Sequence, residues 1–169
     1  VLFRSAASSS FGGRGASRSS DQDSQAAVAR LSARGVRATV RLTDDGTDCA
    51  SNSYGAVREF FEQHPCTALY RSVLEVRDRE GDVVLVAIAS VEMPDEDQAE
   101  ELKSLLDSPG SGNLIELSRE RGRYQSVRYT GDAYASRREG DVVTNAQAQP
   151  VARGWSGLAL TTIATNAVG

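Results

Sequence analysis

Leu69–Val91, "LYRSVLEVRDREGDVVLVAIASV", is the stretch that decides how this chain folds. Its first half alternates in polarity, "REGD" at Arg79–Asp82 supplies a charged turn with a permissive glycine, and Val83–Val91 is an unbroken apolar run. Alternation suits a half-buried strand, and a continuous apolar run suits a central strand covered on both faces. Together they predict a β-hairpin in the middle of a sheet.

Upstream of the hairpin, "VRATVRL" (Val36–Leu42) sets Val36, Ala38, Val40 and Leu42 against Arg37, Thr39 and Arg41, the period of a second half-buried strand. The cluster "TDDGTD" (Thr43–Asp48) is expected to close it as a turn. Before this strand, "SQAAVARLSARG" predicts a short helix with Ser24 as N-cap and Gly35 just past its end. A further helix is expected over Tyr54–Gln63, capped by Ser53, with Val57, Phe60 and Phe61 on one face. His64 precedes Pro65, which biases it away from helical backbone and ends that helix.

Downstream, "PDEDQAEELKSLLD" is the clearest helix. Asp95 and Gln98 form a capping box, acids crowd the positive N-terminal end, and Ala99, Leu102, Leu105 and Leu106 form the buried stripe. "SPGSGN" ends it. Short strands are expected at Asn113–Leu117 and Tyr124–Tyr129, then a second hairpin around Arg138–Asp141, then a closing helix over Trp155–Val168. "REGDVV" leads a strand twice, at Arg79–Val84 and Arg138–Val143, and is read as convergent turn chemistry. The fold class is therefore α+β: an antiparallel sheet made of two hairpins plus short strands, with two to four helices packed on it.

With 169 residues, 40% of them hydrophobic and 25% charged, the chain suits one soluble domain. A net charge of −4 argues against nucleic acid as partner, because phosphate-backbone binders carry a basic excess. Val83–Val91, the longest apolar run, falls short of the roughly 18 residues of a membrane span. Residues 1–5, "VLFRS", match what the tail of a sequencing adapter encodes and are read as an artefact. Residues 6–24 are a Ser/Gly/Arg-rich flexible linker, and 25–169 the single domain. Any anchor upstream of the linker is expected to have been lost.

Both cysteines and the lone histidine fall in "CASNSYGAVREFFEQHPC", Cys49–Cys66. Three readings compete: a disulfide across one helix, two buried thiols, or Cys–His chemistry at Cys66 and His64. A metal site is disfavoured because the spacing matches no common zinc arrangement. The disulfide is preferred, since closing this loop stabilises the fold by about 3 kcal/mol in the chain-entropy picture. His64 is read as a helix-end residue. "PGSGN" (Pro109–Asn113) follows a helix, so it is a chain reversal and not a phosphate loop. The acidic runs at Asp44–Asp48 and Asp95–Glu101 lack calcium-loop spacing. No cofactor and no metal is expected. Arg119, Arg121, Arg123, Arg128, Arg137 and Arg138 face only Glu120 and Asp132 between Ser118 and Arg138, which makes them candidate anion-binding residues. The alternative is that they cover turns and pair with acids.

"CASNSYGAVREFFEQHPCTALYRSVLEV", "IASVEMPD", "SGN" and "YTGDAYASRREGDVV" together resemble the extracytoplasmic part of uncharacterised actinobacterial membrane-anchored proteins, over about Cys49 to Ala148. The resemblance implies a single N-terminal transmembrane helix and a flexible linker ahead of the domain, and it brings no known activity. The expected function is a non-enzymatic extracytoplasmic interaction or sensing domain, tethered to the membrane, with an unknown protein or cell-envelope ligand as partner. A small-ligand carrier with an apolar pocket and a Cys/His-dependent enzyme are the alternatives.

Overall fold

The computed structural model describes residues 18–169. Along the chain run α1 (Ser20–Ala33), β1 (Arg37–Gly46), β2 (Ser53–Tyr54), α2 (Gly55–Gln63), β3 (Ala68–Arg77), β4 (Val83–Glu92), α3 (Glu96–Leu106), β5 (Gly112–Leu114), a 3-10 turn (Leu117–Arg119), β6 (Tyr134–Glu139), β7 (Val142–Pro150) and α4 (Leu160–Val168). Five strands form one antiparallel sheet in the order β1-β3-β4-β7-β6, and β2 pairs with β5 apart from it. The fold is α+β, and the two expected hairpins are β3–β4 and β6–β7. The apolar run became β4, the middle strand, because only a strand flanked and covered on all sides can bury side chains in both directions.

Alternation along the strands sorts their residues onto two faces. Leu74, Val76, Val84, Val86, Ile88, Ala146 and Ala148 lie on the first, sealed by Ala27 and Leu31 of α1 and by Ile163, Ala164 and Ala167 of α4. On the second face, α2 and α3 cover one end through Val57, Phe61, Leu102 and Leu106, which pack on Leu69, Ala89, Val91 and Val143. A smaller cluster of Val73, Leu85 and Leu117 lies toward the other end. β3 is buried along nearly its whole length, so its alternating polarity does not mark one wet face.

Several boundaries differ from the sequence expectation for local reasons. α1 starts at Ser20, because the Ser19 hydroxyl accepts the Gln22 N–H at 3.1 Å; residues 20–24 are thus helix and not linker. The suspected artefact at 1–5 and the linker as far as residue 17 lie outside the described residues. Thr43–Gly46 continue β1 in place of turning, and a bulge between Val40 and Leu42 sends Leu42 to the second face while Val40 stays on the first. Ser53 caps nothing: it pairs with Leu114 in β2–β5 and its hydroxyl donates to the Cys49 and Ala50 carbonyls at 2.8 and 3.1 Å. Gly112 (φ +102°) makes that pairing fit, since a Cβ there would come within 2.1 Å of the Tyr54 carbonyl oxygen. The strand expected over Asn113–Leu117 ends at Leu114, and Tyr124–Tyr129 is irregular. α4 begins at Leu160; Trp155 lies ahead of it and donates from Nε1 to the Leu158 carbonyl. Asp95 caps α3 as expected, but the box is one-sided: its carboxylate accepts both the Gln98 backbone and side-chain N–H groups at 2.8 and 3.0 Å, and the Gln98 amide bonds the cap's side chain in place of its backbone N–H.

Candidate functional site

The second face of the sheet holds an unusual layer. Where the part of the first face under α1 and α4 is apolar, β3 and β7 here present Arg71, Glu75, Asn145 and Gln147, each less than 9% exposed. Residues 115–133, which link β5 to β6, cross this face as a strap with little regular structure and bring Glu116, Glu120, Tyr124 and Tyr129 to it. Buried polar groups need partners, and buried charges need opposite charge. Every strong contact between strap and sheet follows from that need.

Arg71, 3% exposed, is the centre. Its Nη1 donates to the Ile115 carbonyl at 3.0 Å and to Glu120 Oε2, while Nη2 donates to Glu120 Oε1 at 3.3 Å and to Asp44 Oδ2 at 3.4 Å. The Glu120 carboxylate therefore meets the guanidinium end-on with both oxygens, the fork that arginine offers to carboxylates. Nε is buried with no hydrogen-bond partner. Arg71 stands opposite Ala89 in the hairpin register, and that small side chain leaves room for the guanidinium.

Glu75, two positions along the same face, accepts from Arg41 Nη2 at 3.0 Å, Arg77 Nε at 2.9 Å and the Tyr124 hydroxyl. Burial pushes its carboxyl upward, but these hydrogen bonds outweigh burial and hold its pKa down at about 2. Tyr124 is shifted upward by burial and by the Glu75 charge. Glu116 is the opposite case: burial raises its pKa, and Arg119 and the Gln147 amide offset that only in part. Gln147 Nε2 reaches Glu116 at 3.3 Å and Asn145 Nδ2 reaches Asn113 Oδ1 at 2.8 Å. The Ser118 and Tyr129 hydroxyls meet at 3.0 Å, and burial raises the pKa of Tyr129. Arg71, Asn113, Glu116, Asn145 and Gln147 border a small pocket of about 10 Å³, shared with apolar residues such as Leu114 and Leu117, room for about one water.

Arg71 and Glu75 were not among the residues singled out from sequence, although a signal existed. In Leu69–Glu75 the two charges share a face with Leu69 and Val73, beside a strand that is apolar on both sides. Charges on a strand paired to a fully covered neighbour are themselves covered.

The residues that were singled out fall elsewhere. Cys49 and Cys66 are joined in a disulfide, Cα atoms 6.1 Å apart, which brackets α2. The His64 ring lies 4.7 Å from that of Phe60 and its N–H donates to the Phe60 carbonyl, so it sits at the helix end. The six arginines are not one patch. Arg119 faces Glu116, Arg121 bonds the Thr43 carbonyl and approaches Asp44, and Arg123 lies over the Tyr124 ring. Across the sheet at β6, Arg137 pairs with Glu139 and donates to the Gly169 carbonyl, while Arg138 pairs with Glu96. Arg128 has no ion pair among the described residues. Arg137 also lines a cleft of about 160 Å³ with Arg18 and Arg30, where Arg30 holds the Asn166 and Ala167 carbonyls at the end of α4.

Among the described residues no helix is long and apolar enough to cross a membrane, and no group of three or more His, Cys, Asp or Glu is arranged to hold a metal ion. Compared with known families, curated proteins and solved structures, the chain matches none.

Proposed function

We propose that this chain is a non-enzymatic extracytoplasmic interaction or sensing domain, tethered to a membrane in its full-length form, and that its binding face is the polar layer beneath the strap. The observation that carries this reading is the way the strap closes: through Glu120 on Arg71, Tyr124 on Glu75 and Glu116 on Gln147, around a small apolar contact of buried Leu117 and half-buried Tyr124, Val127 and Tyr129 with Val73 and Leu85. Buried ion pairs add little net stability, because desolvation cancels most of their attraction. A segment held largely by polar contacts and a small apolar cluster opens at lower cost than one held by extensive apolar burial, and opening exposes a ready set of donors and acceptors.

The disulfide is compatible with an oxidising compartment and so supports an extracytoplasmic location. It also takes both sulfurs out of thiol chemistry, which weighs against a Cys/His enzyme. The small pocket under the strap sets Arg71, Glu116 and the Asn113, Asn145 and Gln147 amides beside apolar side chains such as Leu114 and Leu117, and these polar groups favour a polar ligand over the apolar one of a carrier. The sequence resemblance supports the tether.

Amide hydrogen exchange on the oxidised protein, with free thiols counted on material exported to an oxidising compartment, tests the proposal. Residues 119–131 are expected to exchange through an opening that leaves β3 and β4 protected, and no free thiol is expected. Strap amides that exchange only with global unfolding would overturn the binding-face reading, and two free thiols would overturn the extracytoplasmic one.

A further inference from the structure

We infer that Glu120 is a built-in competitor: its carboxylate occupies, on Arg71, the place of a carboxylate-bearing ligand that enters when the strap lifts. This rests on the strap opening proposed above.

Three features lead to it. Arg71 is fixed independently of Glu120, because Asp44 of β1 takes one of its Nη hydrogens and the Ile115 carbonyl takes another, Ile115 lying at the start of the strap, outside the opening segment 119–131, and anchored by its own N–H to the Asn52 carbonyl at 2.8 Å. When Glu120 leaves, the guanidinium keeps its position with one Nη1 and one Nη2 donor vacated side by side, the geometry a carboxylate accepts. Glu120 is also the loosest member of the set: its side chain is 37% exposed, against 4% for Arg71, so the carboxylate has water to move into while the guanidinium does not. Finally, the unpartnered Arg71 Nε lies in the layer whose Asn113, Asn145 and Gln147 amides border the small pocket under the strap, so polar groups are at hand for the rest of a ligand.

Charge selects the ligand class. One carboxylate replacing another leaves the local balance unchanged. A phosphate would bring up to two charges beside Asp44, 3.4 Å from Arg71, and near Glu116 on the same pocket wall. The site therefore favours a monoanionic head over a dianionic one.

In the native chain an external carboxylate competes with one already tethered, at an effective concentration in the millimolar range or above. Neutralising Glu120 removes the competitor. The test is a titration of the full chain with acetate, followed by ¹H–¹⁵N chemical shifts that include the Arg71 Nε–H and the Asn145 and Gln147 side-chain amides. Glu120→Gln is expected to bind acetate about tenfold or more tightly than the native protein. Asp44→Asn, which leaves Glu120 in place, is expected not to show this gain, and Glu120→Gln combined with Arg71→Met is expected to lose the response. Glu120→Ala serves if the glutamine variant fails to give a dispersed native spectrum. Unchanged acetate affinity in a folded Glu120 variant overturns the inference, as does binding that survives Arg71→Met, or inorganic phosphate binding more tightly than acetate. Hydrogen exchange separates the two levels. A strap that does not open defeats the proposed binding face, whereas a strap that opens without acetate gaining affinity defeats only the role of Glu120.

Discussion

The two faces of the sheet are made by the same strands and differ by one residue of phase, yet they are built from different chemistry. Beneath α1 and α4, Leu74, Val76, Val86 and Ala146 meet apolar side chains only. Beneath the strap, Arg71, Glu75, Asn145 and Gln147 meet carboxylates, hydroxyls and amides. Both are buried, but burying a large apolar side chain contributes about 1.5–3 kcal/mol, and a buried ion pair far less. Apolar burial beneath α1 and α4, and at the end of the second face covered by α2 and α3, holds the domain together; the strap end of the second face positions charges. Stability and readiness to bind are thus divided between the apolar parts of the sheet and its strap end.

Matched substitutions on neighbouring strand positions test that division most severely. Leu74→Ala, in a fully buried site, is expected to lower unfolding free energy by about 3 kcal/mol through lost transfer energy and a residual cavity. Arg71→Met, three residues earlier on the other face, is expected to cost about 1 kcal/mol or less. Its partners Glu120 and Asp44 have side chains 37% and 35% exposed, so they hydrate when the guanidinium is gone and no isolated charge is left buried. Urea unfolding of the two variants measures both, and equal losses would break the contrast.

The next effect is a pH dependence carried by the second face. Glu75 titrates at about 2 when folded and at an ordinary 4.5 when not, so it stabilises the fold fully above 4.5 and loses that contribution as pH falls through about 2. The contribution is about 3 kcal/mol. Unfolding free energies measured between pH 6 and pH 2 should fall accordingly in the native chain and less steeply in Glu75→Gln; parallel profiles would show that the Arg41–Glu75–Arg77 cluster contributes nothing specific.

How far these faces were legible in the sequence differs between them. Val83–Val91 announced a doubly covered central strand, since a fully apolar run cannot leave a side open to water, and the Asp95 N-cap marked the start of α3. Leu42 was misplaced because a bulge adds one residue to a strand without altering its polarity pattern. Tyr124, Val127 and Tyr129 look like strand positions because they are aromatic or β-branched; in the fold they are the half-buried contacts of the strap, and that role has no periodicity to betray it. Arg71 and Glu75 were hidden for a related reason. Charge on a strand ordinarily marks the wet side, and only the strap, joined from residues 115–133 far along the chain, makes that side dry.

Glu116 gives the smallest effect and the one with the opposite sign. Burial raises its folded pKa above the ordinary 4.5, so the protonated form is the one the fold prefers. Its contribution is fully present below 4.5 and is lost as pH rises through the folded value. Glu116→Gln keeps an oxygen for the Gln147 amide, 3.3 Å away, and removes the charge, giving up only the 3.9 Å approach of Arg119. At pH 7 the variant is expected to be more stable than the native chain by about 1 kcal/mol or less, a gain that disappears as the pH is lowered toward 4. Urea midpoints at the two pH values decide it. A loss of stability at pH 7 would mean that the Glu116 charge is well paired where it lies, and that the strap side of the sheet resembles an optimised ionic core more than a face kept polar for a ligand.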